Sequence, residues 1–243
     1  MTELHDESSA RKGSASREAL LSAAKNLFSE RGYEAVSTRD LAEAAGVNLG
    51  AIQYHFGSKA QLFVEALRDI MRSGSCSNSW KTISQDNLSF EEATTSLCDV
   101  IVGFLGNMLR PTGPQACRIM FREVLNEATR DREMLDALVS SVVEEFTRPF
   151  DQMLLKILYA VAPETSKDEL ELCANSIIGQ CTFYVTHRPF VEYLRNVDLS
   201  TSPSFEKVAE HISRFSLRSL GCKDSAIDAA CKTVFKSSNG VTE

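Results

Sequence analysis

Apolar residues in this 243-residue chain recur at helical spacing, and no stretch of useful length alternates as a strand would. Leu20, Ala24, Leu27 and Phe28 mark one face of a helix over 16–31. Gly32 stops it, and Tyr33 and Val36 fill the bend. Two short helices follow between 37 and 57, then a longer one over 58–72 with Leu62, Phe63, Ala66, Leu67 and Ile70 on its apolar face. Residues 73–87 are rich in Ser, Asn and Gly and read as a loop, with Trp80 as a packing anchor or, less commonly for a lone Trp, a lid over a pocket. Further helical patterns cover 89–109, 115–129, 131–161, 166–187, 190–194, 204–220 and 225–236. Pro149 is expected to kink or split the 131–161 helix, and Pro189 and Pro203 to separate the later ones. Residues 1–15 are polar and aperiodic and read as a disordered arm, and 238–243 as a tail. The expected fold is all-α: a head over 16–60 and a helical body over 61–237 of about six to seven helices.

The head carries the most specific local pattern, STRDLAEAAGVNLGAIQYHFGSK over Ser37–Lys59. Ser37 and Asp40 form a capping-box start, Leu41, Ala42 and Ala45 an apolar stripe, and Gly46 a stop. Val47 plugs the turn and Asn48 is placed to cap the next helix, which buries Ile52 and Phe56. Gly57 ends that helix, and Ser58 with Gln61 makes another capping box. Two short helices about a glycine turn fit a helix-turn-helix, whose second helix lies in a DNA major groove. The expected exposed positions are Leu49, Gly50, Ala51, Gln53, Tyr54 and His55. Gln53 can pair with an adenine edge, Tyr54 and His55 can donate to phosphate, and Lys59 adds a charge beside a helix N-terminus. Ser37, Thr38 and Arg39 stand at the first helix start, and Arg17, with Arg11 and Lys12, precedes the head where it can reach flanking phosphates or the minor groove.

The run R-x-x-L-L-x-A-A-x-x-L-F-x-E-x-G-Y from Arg17 to Tyr33, followed by S-T-x-D-L-A-x-A-A-G-V-N-x-G-x-x-x-Y-H-F-x-S-K, resembles the N-terminal domain of TetR-family transcriptional regulators. The resemblance implies a three-helix DNA-binding domain and a ligand-sensing, dimerising helical body, with helix 58–72 relaying the ligand state. Gln53 stands where that family more often has Tyr, with the aromatic here at Tyr54, so base and phosphate contacts are open between the two. The shorter run I-I-G-Q-C-T-F-Y-V-x-H-R-P, Ile177–Pro189, resembles the C-terminal domain of the CecR-like members. It implies that the helices around Ile177 and Phe215 pair with their copies into a four-helix interface, with Ile177, Cys181, Phe183, Tyr184, Phe205, Ile212 and Phe215 as dimerisation candidates. The TetR-family resemblance also implies an effector pocket in the body, for which Phe104, Met108, Met120, Phe121, Phe146 and Phe150 are candidate walls and Arg118, Tyr184 and His187 candidate polar anchors, with ordinary core or surface packing as the competing reading of each.

Charge refines this picture. The net charge is −7, so any attraction to DNA must be local. Between Arg11 and Lys59 seven Lys/Arg face five Asp/Glu, a mild excess, while the rest of the chain is acidic. The seven cysteines form no Cys-x-x-Cys pair and the four histidines show no ligand spacing, so neither metal nor cofactor is expected. The cysteines read as reduced, buried thiols of a cytoplasmic protein, with a thiol-based redox sensor as the alternative. No apolar run reaches membrane-spanning length, and no phosphate loop, G-x-S-x-G or H-E-x-x-H suggests an enzyme. The expected function is a ligand-responsive repressor that binds a palindromic operator in double-stranded DNA as a homodimer. The alternatives are a DNA-binding regulator with a protein partner or no effector, and a helical binding protein without a DNA role.

Overall fold

A computed structural model describes residues 3–73, 87–109, 123 and 131–236, with side chains described from residue 13. The expected 115–129 helix, apart from Glu123, and most of the 73–87 loop with Trp80 lie outside the described residues. Among those residues the structure is all-helical, as the apolar spacing predicts. The chain divides into two compact units, Met1–Gly74 with Pro114–Glu145, and Ser75–Gly113 with Phe146–Glu243.

In the first unit, α1 spans Glu3–Arg31, α2 Thr38–Ala45, α3 Gly50–Phe56, α4 Lys59–Ser73 and α6 Arg132–Val142. The expected disordered arm is corrected from residue 3 onward, because α1 runs back through it. That segment offers Glu, Ala, Arg and Lys, good helix formers that extend a helix nucleated further along, even though they give it no apolar stripe. Leu20, Ala24 and Phe28 of α1 are buried with Leu41 of α2, Ile52 and Phe56 of α3, and Leu62, Phe63 and Leu67 of α4. Three rings lock the centre: Phe28 meets Phe63 edge-on at 5.0 Å, and Tyr33 meets Phe63 at 5.3 Å. α6 packs against α4 through Met134, Leu138 and Val142, one helical stripe. Buried side chains of this size contribute roughly 1.5–3 kcal/mol each.

In the second unit, α5 spans Phe90–Leu109, α7 Arg148–Val161, α8 Lys167–Thr186, α9 Arg188–Arg195, α10 Ser204–Ser219 and α11 Asp224–Lys236. α5 is the hub, packed by α7, α8, α10 and α11. Its Leu97, Ile101 and Leu105 meet Leu154 and Ile157 of α7, Ala174 of α8, Ile212 of α10 and Ile227 of α11 in one core. The expected break near Pro149 is a π-helical turn, Val143–Thr147, with Pro149 in the first turn of α7. A proline ring collides with the carbonyl four residues earlier, here Glu145, and the widened turn relieves that clash.

Candidate nucleic-acid interface

α2 is fixed at both ends, which sets the turn into α3. The amide of Asp40 donates to Ser37 Oγ at 3.1 Å, and the amide of Ser37 donates back to Asp40 Oδ2 at 2.8 Å. The Ser37 hydroxyl, which donates to Asp40 Oδ2 at 2.6 Å, then the Ser37 amide and more weakly Arg31, hold the Asp40 carboxyl below the usual carboxylate range. Gly46 closes α2 at φ 65°, a left-handed conformation that favours glycine. The amides of Gly46 and Val47 then cap Glu43 and Ala42 carbonyls at 3.0 Å. Asn48 does not cap α3 with its side chain; its backbone carbonyl accepts from Ala51 instead, because α3 is entered through Leu49 in helical conformation.

This frame presents one edge of α3 to solvent. Tyr54 is 83% exposed and Leu49 49%, and Gln53, Gly50 and Asn48 are exposed beside them. His55 is half-buried, its ring 4.8 Å edge-on from that of Tyr54. Ser37 and Arg39 are exposed at the start of α2, and Thr38 is half-buried. The expectation that Ala51 is exposed is corrected: it is buried, since it falls one residue before Ile52 on the narrow inner face of a two-turn helix.

Two of the expected cationic contacts are engaged inside the unit. Arg17 forms an ion pair with Glu65 of α4, and its guanidinium lies 5.0 Å over the Phe56 ring. Lys59 sits 4.0 Å over the Tyr33 ring. Burial lowers the Lys59 ammonium pKa, while Glu34, Asp131 and Glu123 oppose that shift.

Tyr33 gathers contacts that sequence reading missed. Its amide donates to Glu123 Oε1 at 3.2 Å, and its hydroxyl donates to Asp131. Burial first, then Asp131, pushes the Tyr33 phenol far above its ordinary range. Asp131 also caps α6 by accepting from the Met134 amide at 2.9 Å, and the Tyr33 bond lowers its carboxyl. Ser58 completes only half of its expected box, capping the Gln61 amide at 3.1 Å while its hydroxyl turns to Glu133 at 3.2 Å. Glu145 joins Arg68 at 2.6 Å and Arg72 at 2.5 Å; burial raises its carboxyl but the arginines outweigh it. None of these acids lies within the local pattern of the head, so only the tertiary structure brings them to it.

The dimerisation candidates divide into two sets. Ile177, Cys181, Phe205 and Ile212 are corrected: all are buried in their own unit. α8 carries two stripes, and Ile177 and Cys181 follow the inner one with Leu170 and Ala174, while Phe205 and Ile212 lie on the buried face of α10. The outer stripe is Leu172, Ser176, Gly179, Phe183 and His187, all exposed. Phe183 stacks on His187 at 4.7 Å, and Phe215 on α10 is 55% exposed, whereas Tyr184 is half-buried against the core. Phe190, Tyr193 and Leu194 on α9 extend this apolar surface and were not foreseen.

Among the effector-pocket candidates, Arg118, Met120 and Phe121 lie outside the described residues. Phe104 stacks on Phe150 at 5.5 Å beside a cavity of only about 10 Å³. That holds at most one water, so these walls read as core in this structure. Phe146 is buried, Met108 half-buried and His187 solvent-facing. A larger open cleft of about 620 Å³ lies elsewhere in the second unit, lined by Leu88, Leu155, Tyr159 and Leu170 with Gln152 and Lys156. Among the described residues no cluster of His, Cys, Asp or Glu is placed to hold a metal, and no helix is long and apolar enough to cross a membrane.

Comparison with known proteins follows the same division. A family model described as "Bacterial regulatory proteins, tetR family" matches residues 20–66. A second, "HTH-type transcriptional dual regulator CecR, C-terminal domain", matches residues 93–220, more than half of the chain. The chain is 42% identical over 55 residues to the "HTH-type transcriptional repressor KstR2" of Mycolicibacterium smegmatis, covering 23% of this chain and 27% of that protein. The match thus spans about a quarter of that relative's length. A solved transcriptional regulator from Rhodococcus superposes with a TM-score of 0.54 at 19% identity, over 84% of this chain and 95% of that one. A structure titled "SmeT-Triclosan complex" does so with a TM-score of 0.56 at 17% identity, over 82% and 90%. These two likenesses concern the fold.

Proposed function

The chain belongs to the TetR family of transcriptional regulators, and from that premise we propose how this DNA-binding regulator works: as a homodimeric repressor whose two α3 helices read the half-sites of a palindromic operator. The observation that carries the reading is the edge of α3, where Leu49, Gln53 and Tyr54 stand exposed on a helix whose opposite face is locked into the core. Gln53 reads a base edge, and Tyr54 and Arg39 hold phosphates, with Ser37, Thr38, Asn48, Gly50 and His55 lining the approach. Ala51 acts behind the surface as packing, and Arg17 and Lys59 act by holding α1 and α4 in place rather than as free cations.

One head buries too little DNA for useful discrimination, so a second copy is needed. The outer stripe of α8 with Phe183, and Phe215 of α10, supports pairing with that copy, extended by the exposed side chains of α9. The open cleft lined by Leu88, Tyr159 and Leu170 supports a small-molecule effector with an apolar body. An effector need favour the non-binding state by only about 1–3 kcal/mol to change operator occupancy several-fold or more. Such a protein works in the cytoplasm, where its DNA is.

The test is selection of random double-stranded DNA on the purified protein, repeated with Gln53→Ala and Tyr54→Ala. The expected result is an enriched palindrome whose half-site changes with Gln53→Ala and whose affinity falls uniformly with Tyr54→Ala. No enrichment at low salt by a folded dimer refutes the proposal.

A further inference from the structure

Two cysteines distant in sequence meet inside the second unit. Cys98 stands on α5 and Cys231 on α11, 0% and 2% exposed. Cys98 and Cys231 lie in one core cluster where α5 packs against α11 and α10, their side chains in contact and the Ser213 side chain of α10 beside Cys98. Ser213 itself donates to the Ala209 carbonyl at 2.8 Å, so α10 holds it in place. Other free cysteines differ. Cys181 is buried among apolar side chains, its thiol pushed up to about 12 by burial, and burial also raises the half-buried Cys222.

The charged neighbours distinguish the two sulfurs. Cys231 is lowered first by the Cys98 hydrogen bond, against burial, then by the Arg214 guanidinium, with Glu210 and Asp228 opposing. Arg214 is fixed at that spot by Glu210 at 2.8 Å and Asp228 at 2.7 Å. Cys98 is raised by the hydrogen bond with Cys231 and by burial. Cys231 is therefore the more acidic thiol, with Cys98 waiting beside it.

We propose that Cys98 and Cys231 form a peroxide-sensitive dithiol, a modification site at which oxidation joins α5 covalently to α11. The Cys231 thiolate attacks the outer oxygen of a hydroperoxide; the O–O bond breaks, leaving a sulfenic acid on Cys231 and releasing an alcohol or water. The Cys98 sulfur then attacks the sulfenic sulfur, expels the hydroxyl as water and gives up its proton. Two thiols lose two electrons and two protons, and the peroxide accepts them. Access comes through α11, a surface helix seated by the single stripe Ile227, Ala230 and Cys231 with exposed residues between, the kind of element that opens locally. Burial makes the reaction slower than at an exposed thiolate, and the neighbouring thiol makes its product specific.

The experiment treats the native full-length protein with hydrogen peroxide, blocks remaining thiols by alkylation and maps the products by mass spectrometry. The expected product has lost about 2 Da, carries a peptide linking Cys98 to Cys231, and is restored by dithiothreitol. Cys98→Ala is expected to trap the sulfenic acid on Cys231 as a dimedone adduct, and Cys231→Ala to abolish the link. Protein oxidised in guanidinium supplies the randomly paired control. The proposal is overturned if the Cys98–Cys231 link is no more frequent in native protein than in that control, or if both thiols stay fully alkylatable. That measurement on the unsubstituted chain decides the matter even if a variant does not fold, and it is independent of DNA binding.

Discussion

Replacing Tyr33 by Phe removes one oxygen from the centre of the first unit and leaves the ring packing on Phe28 and Phe63 intact. The lost bond runs from a phenol 2% exposed to the Asp131 carboxylate. Hydrogen bonds to charged partners contribute about 1.5–3 kcal/mol net. Asp131 is only partly buried and keeps its bond to the Met134 amide, so water can take the freed lone pair and the cost belongs at the lower end. The expected loss is about 1.5 kcal/mol, roughly tenfold in the unfolding equilibrium, at about pH 8. The pH dependence makes the test sharp. The folded phenol is raised, so its contribution is complete below the unfolded tyrosine value near 10 and is lost as pH rises beyond it. Above about pH 10 the unfolded wild type sheds a proton that the folded form keeps, which costs it about 1.4 kcal/mol of stability per pH unit, and Tyr33→Phe escapes that loss. The deficit of the variant should therefore vanish near pH 11. The assay is guanidinium unfolding followed by circular dichroism on both proteins at the two pH values, the difference cancelling every other titrating group. A deficit that is the same at both would mean the phenol ionises as freely in the folded state as in the unfolded, and would refute the buried bond to Asp131.

Gly46→Ala should destabilise the first unit by about 1–2 kcal/mol through backbone strain alone, because φ is 65° and a Cβ there meets nothing within 4 Å; a thermal melt checks this, and an unchanged midpoint would contradict the left-handed cap. Ser216 has a buried hydroxyl without a hydrogen-bond partner among the described residues, so Ser216→Ala should stabilise the second unit by about 1 kcal/mol, read as a later guanidinium midpoint at constant slope. A destabilised variant would show that the hydroxyl is satisfied after all.

Much of the fold was legible because helical periodicity and stop signals are local. Gly32, Gly46, Gly57 and Pro189 mark helix boundaries in the structure as they do in the sequence. The inner face of the turn, with Leu41, Ile52 and Phe56, was equally readable. Ala51 was not, since on a helix of seven residues a shift of one position decides exposure, and alanine sits well on either side. Asp131, Glu123 and Glu145 escaped because acids distant in sequence give no pattern that relates them to Tyr33, Arg68 or Arg72. The inner and outer stripes of α8 were read as one, because periodicity identifies an apolar position without saying whether its own core or another molecule covers it.

That ambiguity bears on how the head attracts DNA. A chain of net charge −7 needs local cations, yet Arg17 pairs with Glu65, Lys25 pairs with Asp69 at 2.7 Å, and Lys59 rests on Tyr33 amid acids. These three tie α1, α4 and the Tyr33 bend together, so their charge goes into rigidity. Arg39, exposed beside the start of α2, forms no ion pair among the described residues, which leaves it available to phosphate in the proposed function. The amides at the start of α3 lie next to Gly50, which lets a backbone come close. Holding few free cations among the described residues favours recognition by position over attraction by charge. Each phosphate neutralised adds about 0.9 to the slope of log affinity against log salt, so the steep salt dependence expected of DNA binding should be reduced by each cation held inside the head. On the function proposed above, discrimination then rests on how firmly Tyr33, Asp131 and Lys59 fix the angle at which Gln53 and Tyr54 would meet the groove.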